Sequence, residues 1–167
     1  MIELQGTLIE RLEMAVQLVC ADTTDEQMQH FHDIYEKAGV RPSAAAAEFF
    51  RKYGGAYREN YIMLPEPKYN KAVFFRCYGN DETTSDLDYA MQFIDEVRDA
   101  AAQDVCPVAL IGFDIPAEVY IGENGLLYCL YEFKEEIDTF ESPARILEYY
   151  LKNHVPVGIE KKPAVTP

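Results

Sequence analysis

The stretch Val119-Tyr120-Ile121-Gly122-Glu123-Asn124-Gly125-Leu126-Leu127-Tyr128 sets an Asn-Gly pair between two apolar, β-prone runs. This is the strongest short-range signal for a β-hairpin, because Asn and Gly tolerate the backbone angles of a tight reversal. Residues 107–112 upstream are also β-rich, and residues 126–131 extend the run after the turn. About three strands joined by short connections therefore lie here, and strands joined so closely pair antiparallel. Earlier in the chain, residues 61–64 and 72–78 read as a further hairpin around a turn at residues 65–70, with Val73, Phe75 and Cys77 alternating.

Working outward, the period changes from two to 3.6. Leu8, Leu12, Ala15, Val16 and Val19 define an amphipathic helix running to about Cys20. Thr24 followed by Gln27 is a capping box for a second helix, with Met28, Phe31, Ile34, Tyr35 and Ala38 as its apolar stripe and Gly39 as its stop. Pro42 and Ser43 open a third helix through Phe49, Phe50 and Tyr53. Gly54 and Gly55 end it, in the manner of a left-handed cap. Leu87, Ala90, Met91, Ile94, Val97 and Ala101 predict one fourth helix, and Ser142-Pro143 opens a last one through Ile146, Leu147, Tyr150 and Leu151. Helices gathered before and after strands with short connections imply an α+β fold with a mainly antiparallel sheet packed against helices. The expected organisation is a single domain over residues 1–155 with a fraying tail over 156–167.

Charge is concentrated. Residues 81–141 hold 16 of the 29 acids and 2 of the 15 bases, which accounts for the whole net charge of -14. Such a field repels nucleic acid and anionic membranes and raises the association rate of a basic partner. It also keeps a protein soluble as a solvated face, and charge alone does not choose between these roles. The start, MIELQGTLIERLE, lacks the pattern of a signal peptide, and no run approaches the ~18 apolar residues of a membrane span, so a cytoplasmic protein is expected. With Phe and Tyr as the only aromatics, the core is expected to rest on Phe and aliphatic residues, with Tyr hydroxyls reaching outward.

Motifs with a defined chemistry are missing: there is no phosphate loop, no H-E-x-x-H, no G-x-S-x-G and no dinucleotide fingerprint. His30 and His32 stand two apart on a helix and point about 200° apart, so they do not chelate a metal together. Cys20, Cys77, Cys106 and Cys129 form no C-x-x-C pair, and on apolar stretches they read as core residues of a reducing compartment. Cys106 and Cys129 have no histidine placed to activate them. Glu132, Glu135, Glu136, Asp138 and Glu141 lack the spacing of a calcium loop and read as a solvated acidic loop. No enzyme, cofactor, metal or small-molecule substrate is expected.

Two pieces taken in order carry a resemblance. Ala47-Glu48-Phe49-Phe50-Arg51-Lys52-Tyr53-Gly54-Gly55 is the first; Cys106-Pro107-Val108-Ala109 followed by residues 119–128 is the second. Together they resemble the SUKH superfamily of bacterial immunity proteins, in particular its third subgroup, over about residues 25–152. In place of that subgroup's Trp- and Arg-containing lead into the second helix stands Cys20-Ala21-Asp22-Thr23. The resemblance implies a SUKH-like (Smi/Knr-like) fold and a protein that neutralises a toxin domain, often a nuclease or deaminase, by binding and occluding it. A regulatory or scaffolding module is the alternative.

Tyr53, Gly54, Gly55, Pro107, Gly122, Asn124 and Gly125 have sufficient structural reasons: helix termination, the start of a strand and a hairpin turn. The expected protein interface is the acidic surface of Asp86, Asp88, Asp95, Glu96, Asp99, Glu132, Glu135, Glu136 and Asp138, with Tyr78, Tyr89 and Tyr131 as exposed anchors.

Overall fold

The computed structural model describes residues 5–20, 23–55, 62–65, 70–80, 82–113 and 115–153. Of the expected turn over 65–70, Pro65 ends one strand and Asn70 begins the next, paired with it, and residues 66–69 lie outside the described residues, as do the tail over 156–167 and the Ala21-Asp22 pair. The fold is α+β. In chain order come α1 (Leu8–Val19), α2 (Asp25–Lys37), α3 (Ala44–Tyr53), β1 (Ile62–Pro65), β2 (Asn70–Cys77), a 3-10 turn (Tyr78–Asn80) and α4 (Ser85–Met91). Then follow α5 (Ile94–Ala101), β3 (Val105–Gly112), β4 (Ala117–Gly122), β5 (Leu127–Leu130), β6 (Asp138–Phe140) and α6 (Pro143–Asn153). The strands form one antiparallel sheet in the order β1-β2-β3-β4-β5-β6, so each strand pairs with its neighbours in sequence. No helix among the described residues is long and apolar enough to cross a membrane.

The helix starts follow the local code. The Thr24 side chain accepts from the Gln27 N–H at 3.1 Å while Gln27 accepts from the Thr24 N–H at 2.9 Å, the reciprocal pair expected of a capping box. Ser43 caps α3 through Ala46 at 3.1 Å. Gly39 takes a φ of +73° after α2, the left-handed geometry that favours glycine.

Gly54 differs from expectation. Its φ is -69°, within the right-handed region, so no left-handed cap is formed there. A Cβ at Gly54 would lie 2.6 Å from Phe31 Cε2, and one at Gly79 would also run into the Phe31 ring. These two glycines are needed because the Phe31 ring, stacked on Phe50 at 4.8 Å, sits hard against the backbone on both sides. Pro107 also departs from its expected place. It is the third residue of a central strand, at the bulge between Pro107 and Ala109 in the β3–β4 pairing, where its missing N–H breaks the ladder least.

Tyrosines are part of the core rather than its outer layer. Tyr35, Tyr78, Tyr120 and Tyr150 are among the largest fully buried side chains. Each hydroxyl is satisfied inside: Tyr35 donates to Pro107 O at 2.7 Å, Tyr120 to Ala90 O at 2.6 Å, Tyr150 to Ile115 O at 2.9 Å, and Tyr78 to the Glu118 carboxylate.

The expected single fourth helix is two helices. Gln92 and Phe93 donate to Tyr89 O and Ala90 O in tight i→i+3 turns, and α5 restarts at Ile94. The Ala90 carbonyl, which a continuous helix would present to Ile94, instead accepts from Tyr120 of β4 and from Phe93. A tertiary hydrogen bond thus breaks a helix whose apolar period runs on unbroken. The acidic run after β5 is likewise more ordered than a solvated loop, since Asp138 begins β6 and pairs with Cys129 of β5.

Candidate protein-binding cleft

The register of the sheet builds the site. Arg76, Leu110, Glu118 and Leu130 are cross-strand partners from β2 to β5, and side chains paired in this way share a face. All four are only partly buried. On the same face, two residues along β4, Tyr120 reaches up to Ala90 and so fixes α4 over the sheet. Beyond the helices' cover the face opens into a cleft of about 450 Å³. Its walls are Tyr89 of α4, Phe93 at the helix break, Glu96 of α5, Pro116, Glu118 and Leu130 of β4 and β5, and the segment from Tyr131 to Glu135 after β5.

Four carboxylates from three elements, Glu96, Glu118, Glu132 and Glu135, meet one ammonium here, that of Lys134. Lys134 is already engaged: its Nζ lies 2.6 Å from Asp138 and over the rings of Tyr131 and Tyr149 at 5.0 and 4.8 Å. Glu118 is the most deeply set of the acids. Burial first, and the nearby Glu132 second, push its pKa from an ordinary 4.5 up to about 7, with Arg76 opposing the shift. The Arg76 guanidinium is itself paired with Asp86.

The expected interface residues divide into groups. Glu96, Glu132 and Glu135 are brought together in the cleft. Asp86 and Asp138 are ion-paired within the fold. Asp88, which accepts from Thr84 at 2.7 Å, and Asp95, which pairs with Arg98 at 3.4 Å, are exposed outside the cleft lining, as are Asp99 and Glu136.

Of the three tyrosines expected as exposed anchors, only Tyr89 is one, at 44% exposure. Tyr78 is 1% exposed because its hydroxyl is spent beneath the cleft on Glu118. Tyr131 is 5% exposed, its ring stacked on Phe133 at 4.7 Å and packed against Tyr149 and Tyr150 of α6. Glu118, Phe93 and Phe133 are the cleft side chains that sequence reasoning missed. The available signal was Glu118 itself, a charge two positions before Tyr120 and therefore on the same face of the strand.

Tyr53 and the turn residues Gly122, Asn124 and Gly125 are engaged within the fold. Tyr53 packs on Phe49 and Phe75 at 4.8 and 5.8 Å. The turn after β4 is closed by the Gly125 N–H on Gly122 O at 3.0 Å, with Gly125 at a φ of +80°. Asn124 accepts from the Leu126 N–H at 3.0 Å and donates to the Tyr128 hydroxyl at 3.1 Å. Gln103 accepts from the Asn124 N–H at 3.1 Å and so ties the turn to the end of α5.

A second, larger hollow of about 610 Å³ lies between α3, the β4–β5 turn and the start of α6. Its charges are balanced, Glu48 and Glu141 against Arg51 and Lys52, and none of the exposed large apolar side chains lines it. The cysteines offer no nucleophile. Burial raises Cys106 and Cys20 to about 12, and it raises Cys77 and Cys129 as well. Among the described residues no group of three His, Cys, Asp or Glu side chains could hold a metal, and His30 and His32 are both exposed on α2.

No family model, curated protein or solved structure matches this chain.

Proposed function

We propose that this chain is an immunity protein that binds and occludes a basic, nuclease-like domain of a bacterial toxin. The observation that supports it is the convergence of Glu96, Glu118, Glu132 and Glu135 with exposed aromatic rings in one cleft. Aromatic anchors set in a charged rim suit a protein interface, and an acidic surface suits a partner whose active cleft binds a polyanion. The resemblance of the Tyr53-Gly54-Gly55 and Gly122-Glu123-Asn124-Gly125 segments to the SUKH superfamily supports the same class of partner.

The test is capture of the partner from the native cell at low salt, with release at high salt, followed by assay of the released protein. A basic nuclease that this chain inhibits at one-to-one stoichiometry, and no longer binds when Glu96, Glu132 and Glu135 are changed to Lys, is the expected result. Capture of a partner with no toxic activity would replace immunity with a regulatory or scaffolding role.

Glu118 supports a second reading. A carboxyl group in a cleft with a pKa near 7 is the kind of group that acid–base catalysts use. That reading predicts turnover of some substrate by the isolated chain, abolished in Glu118→Gln.

A further inference from the structure

We propose that the cleft is a socket for a single arginine side chain of the basic partner, the guanidinium held by Glu118 and Glu132 and laid against the Phe93 ring. This deepens the binding reading above and rests on it.

The cleft is more than a group of acids. Of the exposed large apolar side chains among the described residues, Tyr89 and Phe133 line it and Ile115 adjoins Pro116 in its wall, leaving Met14 elsewhere. Two pairs of rings, Tyr89–Phe93 at 5.2 Å and Tyr131–Phe133 at 4.7 Å, face it from opposite elements. Partly exposed aromatic rings beside a cluster of carboxylates are the two things that a guanidinium engages at once. It stacks flat on rings and bonds carboxylates with a planar fork, and it sheds water more readily than an ammonium.

The charged groups around Glu118 leave the position unfilled. From β2, Arg76 is near enough to oppose the rise in the Glu118 pKa, and its guanidinium is paired with Asp86 of α4. From the 3-10 turn, Tyr78 donates a neutral hydroxyl. Tyr120 of the same strand is turned to Ala90, and Lys134 is held by Asp138. Glu132 and Glu135, from the loop, and Glu96, from α5, add negative charge only. An arriving cation therefore stabilises the ionised form of Glu118, and its binding is accompanied by proton release wherever Glu118 was protonated beforehand.

The experiment titrates the intact protein with the amide of N-acetylarginine, and separately with that of N-acetyllysine, following the ring resonances of Tyr89, Phe93 and Phe133 by NMR. The arginine amide is expected to shift all three saturably, at least about threefold more tightly than the lysine amide. Its affinity is expected to weaken severalfold between about pH 8 and about pH 5.5, as Glu118 takes up its proton. Glu118→Gln should abolish the pH dependence. Glu132→Gln, at an exposed position that leaves the fold intact, should weaken binding. Equal binding of the two amides, or shifts indifferent to both substitutions, would overturn the socket. If no amide binds and the captured partner is still released by the Glu96, Glu132 and Glu135 changes, the socket falls and the immunity reading stands. If that partner also ignores those changes, both fall.

Discussion

The two faces of the sheet are made from the same strands and turn out differently. On one, the rows Phe75-Ile111-Ala117 and Cys77-Ala109-Val119-Cys129 are wholly buried under α3 and α6, with Phe49 and Tyr53 laid on Phe75 and Tyr150 on Phe113. On the other, the row Arg76-Leu110-Glu118-Leu130 is half-covered, because α4 and α5 shelter only part of it. Both faces are rich in aromatic rings. What separates them is closure: the sealed face buries its rings completely, and the open one keeps Tyr89 and Phe133 packed on neighbouring rings yet exposed to solvent.

The largest expected effect lies on the sealed side. Phe31→Ala removes a ring stacked on Phe50 and should cost about 3–5 kcal/mol in urea unfolding. Phe133→Ala, the same deletion at the open cleft, should cost about 1 kcal/mol or less while weakening partner binding. Equal costs would show that the two faces do not differ as described.

Next in size, Gly79→Ala drives a methyl group into the Phe31 ring and is expected to cost about 1–3 kcal/mol, read from the same unfolding curves. At the open cleft, Glu118 has a folded pKa above its unfolded one, so the native state holds a proton that the unfolded state has lost between about pH 4.5 and about pH 7. Stability from this group is therefore present at low pH and is lost as pH rises through 7. Glu118→Gln should raise the melting temperature at about pH 8 by a few degrees, on the order of 1 kcal/mol after allowance for solvent, and the gain should vanish near pH 4.

A last effect belongs to neither face. Ala102 ends α5 at a φ of +54°, a left-handed position where a side chain is strained, and Ala102→Gly should stabilise by about 1 kcal/mol.

What was legible in the sequence is what short-range chemistry decides. The capping box at Thr24 and Gln27, the Ser43 cap and the Gly122-Glu123-Asn124-Gly125 reversal each depend on atoms a few residues apart, and each is in place. The failures trace to partners far along the chain. The helix breaks at Gln92 because of a hydroxyl from Tyr120, thirty residues on. β6 has three residues and no alternation long enough to read, and it exists as the partner of β5. Gly54 is expected as a left-handed cap and is constrained instead by the Phe31 ring, which leaves no room for a Cβ, rather than by its own φ. Tyr78 and Tyr131 were misplaced because tyrosine suits core and rim alike until packing decides. The cleft itself was half visible: Glu96, Glu132 and Glu135 stood in the acidic run, while Glu118 and Phe93 needed the register and the helix break to bring them beside it.

The strand order bears on how the chain reaches this state. Every paired strand is its partner's neighbour in sequence, so most of the sheet zips from local reversals whose closure entropy is small. The long closure between described strands is the one from β2 to β3, around α4 and α5, and that excursion carries Asp86, Asp88, Asp95, Glu96 and Asp99. Bringing its ends together crowds like charges, so added salt should speed folding by screening them. Glu96 of this run also lines the cleft, so under the proposed reading the same salt would weaken the hold on a basic partner while it speeds assembly.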